Sequence, residues 1–268
     1  MLATLAIATA LSLTPAQEGD LKLSNARTTY GFLGNTRGSN KYLPGDVLFL
    51  AFDIKGMSVG KDGEIKYSLA LDMKDAAGKK VFGQLPQVIQ AANSMGGSQL
   101  PGYAYADIGT SVAPGKYSLT VTVRDEMAKK SADLTQEFDV LKKDFGIGKL
   151  GLFYDDQGRV WAPPVFVTGQ SAWLHFITMG FDRDAKTKQP DVEVRMRVLD
   201  ESGKPTVPQP TVGDLKSAKL PPNASAAPWL QKVELNRPGK FRIELEAEDK
   251  VAKKTVKEVL NITVIEAK

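Results

Sequence analysis

Pro114-Gly115-Lys116-Tyr117 runs into Ser118-Leu119-Thr120-Val121-Thr122-Val123-Arg124-Asp125, and Pro238-Gly239-Lys240-Phe241 runs into Arg242-Ile243-Glu244-Leu245-Glu246-Ala247-Glu248-Asp249. The two stretches lie 124 residues apart (238 − 114). In the first, Tyr117, Leu119, Val121 and Val123 alternate with polar residues; in the second, Phe241, Ile243, Leu245 and Ala247 do. A period of two with one apolar side predicts a strand half-buried on a core. A polar turn follows each, over residues 125–130 and 249–254, and then a returning strand ending Phe138-Asp139-Val140 or Ile262-Thr263-Val264. Each copy therefore closes on an antiparallel hairpin.

Outward from these hairpins the same offset persists. Gly45 meets Gly169, Leu50 meets Leu174, Phe52 meets Phe176, and Lys129-Lys130 meets Lys253-Lys254. Asp75 and Gly78 meet Asp200 and Gly203 after a shift of one residue. Anchors that hold one offset over most of a period mark an internal duplication. We expect an all-β chain of two tandem domains, repeat 1 over residues 20–142 and repeat 2 over 145–267. Further strands are expected at 47–54 and 171–178. Another pair joins Tyr67, Leu69, Leu71 and Met73 to Val192, Val194, Met196 and Val198. Residues 84–113 and 205–237, rich in Gly, Pro, Ser, Asn and Ala, are expected to be long connections holding one or two short strands. No dozen-residue window has helical periodicity.

A glycine-initiated early strand, then Pro-Gly-Lys-Tyr leading into an alternating strand that ends in Asp, resembles the bacterial immunoglobulin-like and fibronectin-III-like β-sandwiches. The resemblance covers both repeats and implies antiparallel sandwiches with Greek-key connections and seven or more strands each. It carries no catalytic or binding residues. Tyr117 and Phe241 stand where such folds place a tyrosine corner, and Phe241 has no hydroxyl to make its hydrogen bond. The connector, residues 141–145, is short, which predicts sandwiches held end to end with limited swing.

The chain has 268 residues, suited to two domains, with ordinary globular proportions of 42% hydrophobic and 25% charged residues. It has no cysteine, so thiol nucleophiles, zinc–thiolate sites and disulfides are excluded. Its net charge of +4 comes from 35 basic and 31 acidic residues spread along the chain. The basic clusters are pairs such as Lys142-Lys143, without the dense stripe and interleaved aromatics of a nucleic-acid binder. Residues 1–16 are uncharged and apolar and end Thr14-Pro15-Ala16, which reads as a signal peptide without its leading positive charge. We therefore expect a secreted, periplasmic or cell-envelope protein. No second apolar stretch is long enough to predict a membrane span.

His175 is the one histidine, and Gly109-Thr110-Ser111-Val112-Ala113 departs from a nucleophile elbow at its last position. Neither the Asp155-Asp156 pair nor Asp182, Asp184 and Asp191 has calcium-loop spacing, and phosphate-binding glycine fingerprints are missing. The expectation is no catalytic residue, no metal site and no cofactor. A candidate binding patch is Trp173, His175 and Ile177 on the outward face of one strand, with Trp229 beside them. The alternative is that the 205–237 connection, carrying Trp229, covers that face as a second layer. Trp161, next to Pro163-Pro164, is placed at an edge strand or the interdomain junction. The functional expectation is an exported, non-catalytic protein for protein binding, adhesion or spacing, with an unknown protein or glycan partner. The alternatives are a carbohydrate-binding accessory protein using the repeat 2 aromatics, or a subunit of a larger exported enzyme or envelope assembly. An unpaired edge strand would favour the last by strand addition.

Overall fold

The computed structural model describes residues 19–215 and 219–267. The predicted signal peptide lies outside the described residues. No described residue is helical. Repeat 1 contains β1 (Lys22–Thr29), β2 (Lys41–Tyr42), β3 (Val47–Lys55), β4 (Glu64–Asp75), β5 (Lys80–Ala92), β6 (Leu100–Asp107), β7 (Gly115–Asp125) and β8 (Ser131–Val140). Repeat 2 contains β9 (Gly146–Phe153), β10 (Val165–Val167), β11 (Ser171–Met179), β12 (Val192–Leu199), β13 (Thr211–Asp214), β14 (Ala226–Glu234), β15 (Gly239–Asp249) and β16 (Lys254–Ile265).

Repeat 1 packs a three-stranded sheet, β1-β3-β6, on a five-stranded sheet, β2-β8-β7-β4-β5. Repeat 2 repeats the plan with β9-β11-β14 and β10-β16-β15-β12-β13. Within each copy all pairings are antiparallel except β2 with β8 and β10 with β16. The chain crosses from sheet to sheet between β3 and β4, β5 and β6, and β6 and β7, so each repeat is a Greek-key sandwich. Each has its own core. Leu48, Leu50, Phe52, Leu119 and Val121 centre the first, and Leu174, Phe176, Ile243 and Leu245 the second.

The duplication extends to individual atoms. Asp125 accepts hydrogen bonds from the N–H groups of Met127, Ala128 and Ser58, at 2.8, 2.9 and 2.8 Å. Asp249 accepts from Val251, Ala252 and Asp182, at 3.0, 3.1 and 2.7 Å. Each closes the β7–β8 or β15–β16 turn and staples it to the loop after β3 or β11. Lys129 and Lys253 occupy the left-handed region in these turns, with φ of 59° and 56°. Buried on the sandwich, the Asp125 carboxyl would rise, but the Ala128, Ser58 and Met127 bonds hold it below the usual carboxylate range.

The stretches expected as long connections with one or two short strands each hold two strands, longer than expected in β5, β6 and β14. Residues 80–92 form β5, and 226–234 form β14 as a full edge partner of β11. The cross-strand neighbours supply what the local sequence pattern lacks: β5 takes its register from β4.

The repeats dock through more than the short connector. The chain between β1 and β2 reaches into repeat 2, where Tyr30 joins that repeat's core and its hydroxyl donates to Glu258 on β16. Asn35 donates to the Asn261 carbonyl at 2.8 Å. Asp46, 2% exposed, accepts the Lys149 N–H at 2.8 Å and pairs with Arg37 at 3.1 Å. The Arg37 guanidinium lies between the Tyr30 and Tyr42 rings, 5.0 and 4.5 Å from their centroids. Trp161 completes the dock edge-on to Phe32 and Phe49, at 5.6 and 5.2 Å, and tilted on Phe153 at 4.2 Å. Glycine makes this approach possible. A Cβ on Gly31 or Gly151 would stand 2.0 or 2.5 Å from the indole of Trp161.

Candidate functional site

The candidate patch is set by the alternation of β11. Ala172, Leu174, Phe176 and Thr178 are buried toward the core, and Trp173, His175 and Ile177 are half-buried on the outer face. Across the sheet, Trp173 stands between Lys232 on β14 and Phe153 on β9. His175 stands between Leu230 and Gly151, and Ile177 between Pro228 and Gly148.

That register puts Leu230, not Trp229, on the outer face. Trp229 pairs with Phe176 and shares its inner face, with the rings stacked at 6.2 Å and 5°. Its indole N–H donates to the Thr178 hydroxyl at 2.9 Å, which satisfies the one polar atom of a ring turned toward the core. Trp229 is therefore separated from Trp173, His175 and Ile177 by the sheet itself. Cross-strand register, which decides the face, is a non-local quantity that no local pattern encodes.

The expected cover, the 205–237 connection as a second layer, is corrected by β14, which lies beside β11 in the same sheet. The cover comes from residues 154–161. Asp155 caps that turn by accepting the N–H groups of Gln157, Arg159 and Val160, at 2.9, 3.1 and 2.6 Å. Partial desolvation opposes ionisation there, but the Arg159, Val160 and Gln157 bonds hold the Asp155 carboxyl below its usual range. The turn lays Gly158 over the imidazole, so close that a Cβ there would meet His175 Nδ1 at 3.1 Å. Phe153 meets the same ring edge-on at 4.8 Å. His175 Nε2 is buried there without a hydrogen-bond partner.

The three outward residues thus face three surroundings. His175 lies under the turn. Ile177 lines an interdomain cleft of about 290 Å³ together with Leu43, Gly45, Thr110, Met179 and Ala226. Trp173 borders an open notch of about 450 Å³ with Tyr154, Gln170, Ser171 and Lys232. The Lys232 ammonium sits 5.1 Å from the Trp173 ring centroid and pairs with Glu234 at 2.5 Å. Ser171 donates to Glu234 at 2.7 Å, and the Lys232 and Ser171 bonds hold that carboxyl below its usual range. The notch is lined by two aromatic rings, Tyr154 and Trp173, and by the polar side chains of Gln170, Ser171 and Lys232. Among the described residues no three of His, Asp and Glu gather as metal ligands would, and no helix is long and apolar enough to cross a membrane.

No protein-family model matches this chain, and no curated protein does. Solved structures resemble it weakly. The C-terminal domain of the Streptococcus agalactiae AgI/II polypeptide BspA aligns over 90% of this chain and 100% of its own, at 10% identity and a TM-score of 0.30. Red sea bream transglutaminase aligns over 92% of this chain and 31% of its own, at 7% identity and a TM-score of 0.29. A family 123 glycoside hydrolase from Clostridium perfringens aligns over 46% of this chain and 28% of its own, at 12% identity and a TM-score of 0.32. Likeness at this level carries no assignment of activity or ligand.

Proposed function

We propose that this chain is a non-catalytic, exported protein whose two sandwiches, of the immunoglobulin-like or fibronectin-III-like kind, act together as a stiff binding and spacer module. The observation that carries this reading is the dock. Tyr30 seats in the core of repeat 2, Asp46 caps the Lys149 N–H, and Trp161 fills the aromatic seam between repeats. Tandem domains joined by a linker alone swing freely, whereas an interface with buried aromatic and charged contacts holds one relative orientation. A fixed orientation presents two surfaces at a constant separation, which is what a spacer or a two-point binder needs.

The test is a distance measurement. The absence of cysteine lets single labels be placed without background, for example at Ser131→Cys and Glu201→Cys. A spin–spin distance distribution with one narrow peak supports the stiff unit, and a broad distribution overturns it. A second reading, glycan contact, is favoured by the Tyr154–Trp173 notch with Gln170, Ser171 and Lys232. Iodide quenching of a variant retaining Trp173 alone would show the accessible indole that stacking on a sugar requires.

A further inference from the structure

The edge of the five-stranded sheet in repeat 1 is unlike the rest of the surface. β5 is thirteen residues long, pairs with β4 on one side, and among the described residues has no strand on the other. From Val81 to Ala92 it carries no charged residue. Val81, Phe82, Leu85, Val88 and Ile89 are exposed, Leu85 by 84% and Val88 by 57%. The corresponding edge of repeat 2, β13, is four residues long. Natural sheets blunt such edges with lysines or short strands because a long apolar edge is a template for pairing. In repeat 1 the blunting is limited to Pro86, at the bulge where Leu69 and Leu71 face Gln87 and Gln84.

The ladder shows which backbone groups are offered. The Asn93 N–H bonds the Gly63 carbonyl at 2.7 Å, and the Glu126 N–H bonds the Lys66 carbonyl at 2.9 Å. Antiparallel pairs alternate, so Ile65, Tyr67 and Leu69 direct their backbone groups to β5, where Gln87, Ile89 and Ala91 answer. Val88, Gln90 and Ala92 consequently point N–H and C=O away from the sheet.

We infer that β5 is a self-pairing edge, and that its occupant is β5 of a second copy of this chain, antiparallel about a two-fold axis at Ile89. In that register Val88 meets Gln90 of the second copy, Gln87 meets Ala91, and Ile89 meets Ile89. Val88 and Gln90 exchange both backbone bonds on each side of the axis. Pro86 falls at the end of the run opposite Ala92, where its missing N–H removes a single donor. Ile89 forms the close, non-hydrogen-bonded pair on the axis. The neutrality of Val81 to Ala92 matters here, since identical edges would otherwise bring like charges face to face. Two five-stranded sheets become one of ten, within the size open sheets reach.

Sedimentation equilibrium of the full chain tests this over protein concentrations from about 10 µM to 1 mM, the range in which small interfaces associate. The weight-average mass should climb from 29.0 kDa toward twice that value. Ile89→Lys and Ile89→Glu, each alone, should remain monomeric, because the axis then opposes like charges. Mixed in equal amounts they should restore the dimer. Gln90→Pro, which removes an outward donor and leaves the β4 bonds intact, should abolish association with an unchanged circular dichroism spectrum. A wild-type mass that stays monomeric, or a dimer that survives Gln90→Pro, overturns the inference. So does a mixture of the charge variants that fails to associate, or a chain that stays monomeric yet takes an unrelated strand at this edge. A monomer with a single narrow interdomain distance would sink the dimer and leave the stiff-module reading standing.

Discussion

At the scale of single residues the repeats diverge where a side chain changes chemistry on an unchanged backbone. Tyr117 donates its hydroxyl to the Ala113 carbonyl at 2.8 Å, four residues upstream, and so makes the tyrosine corner in repeat 1. The equivalent Phe241 makes none, and Arg237, also four residues upstream, lies with its guanidinium 5.1 Å from the Phe241 ring centroid. A cation over a ring stands where a hydrogen bond stands in the other copy. Tyr117→Phe should therefore destabilise repeat 1 by about 1 kcal/mol, the net worth of one such bond. Arg237→Ala should cost a similar or smaller amount in repeat 2, since exposed cation–π contacts contribute about 0.5–1 kcal/mol. Thermal unfolding of the two variants checks this; a Tyr117→Phe protein as stable as wild type would show that the corner bond is decorative. Asp125 makes a stronger case. Its carboxyl accepts three N–H groups and its pKa lies below normal, so its contribution is present above the unfolded carboxylate pKa and lost as pH falls through the folded one. Asp125→Ala should cost about 2–4 kcal/mol near neutral pH, from three charge-assisted bonds left without an acceptor, and less in acid. Denaturant melts at several pH values measure both terms. A cost that does not shrink in acid would contradict the assignment.

At the scale of elements, β9 shows how a strand is written for an interface. Its residues Gly146, Gly148 and Gly151 have no side chain on the outer face, and Leu43, Met179 and Trp161 lie where those side chains would project, with Asp46 also close to Gly148. Gly151→Ala forces a methyl to 2.5 Å from the Trp161 ring, so the indole must leave its seat. The expected cost is about 1–3 kcal/mol, typical of overpacking, with Trp161 emission shifted to the red as the seam opens. An unshifted spectrum would place the strain elsewhere. The same scale marks what was legible from sequence. The alternation of β7 and β15, and the glycine-led starts of β3 and β11, are local patterns, and they are read correctly because period two in one strand is enough to identify them. β5 and β14 are not legible that way. Val81 to Ala92 mixes apolar residues with Gln84, Gln87 and Gln90 on both faces and shows no alternation, and neither face of the strand is buried. Residues 226–234 mix Pro, Trp, Gln and Lys, and their strand conformation comes from pairing with β11 along its whole length. For the candidate patch, alternation placed Trp173, His175 and Ile177 on one face. The assignment of Trp229 required register, and the burial of His175 required the Asp155 turn; both are long-range facts.

At the scale of the whole molecule, the dock ties two otherwise independent cores to one buried set of ionisable groups. Tyr30 donates to Glu258, Arg37 pairs with Asp46, and both lie against the seam between repeats. Burial raises the Glu258 carboxyl above its usual range, against the opposing pull of the Tyr30 hydrogen bond and of Arg37, while Asp46 adds to the rise. Burial, and then the bond to Glu258, raise the Tyr30 phenol well above normal. The sign follows from linkage. Below the ordinary glutamate value of 4.5 the group is protonated whether the chain is folded or unfolded. As pH rises the unfolded chain ionises first and the folded one must give up a proton it holds more tightly, so this group's contribution to stability is lost through the folded pKa. Most other shifted carboxyls, Asp125 and Asp144 among them, are lowered and act in the opposite direction. Glu258 can therefore be isolated by difference. Glu258→Gln keeps an oxygen to accept the Tyr30 hydroxyl and removes the titration. The melting temperature of this variant minus that of wild type should rise as pH climbs above about 4.5 and level off once the folded carboxyl has ionised. A difference that is flat with pH would show Glu258 to be solvated in solution, and the seam at Tyr30 to be looser than its packing implies.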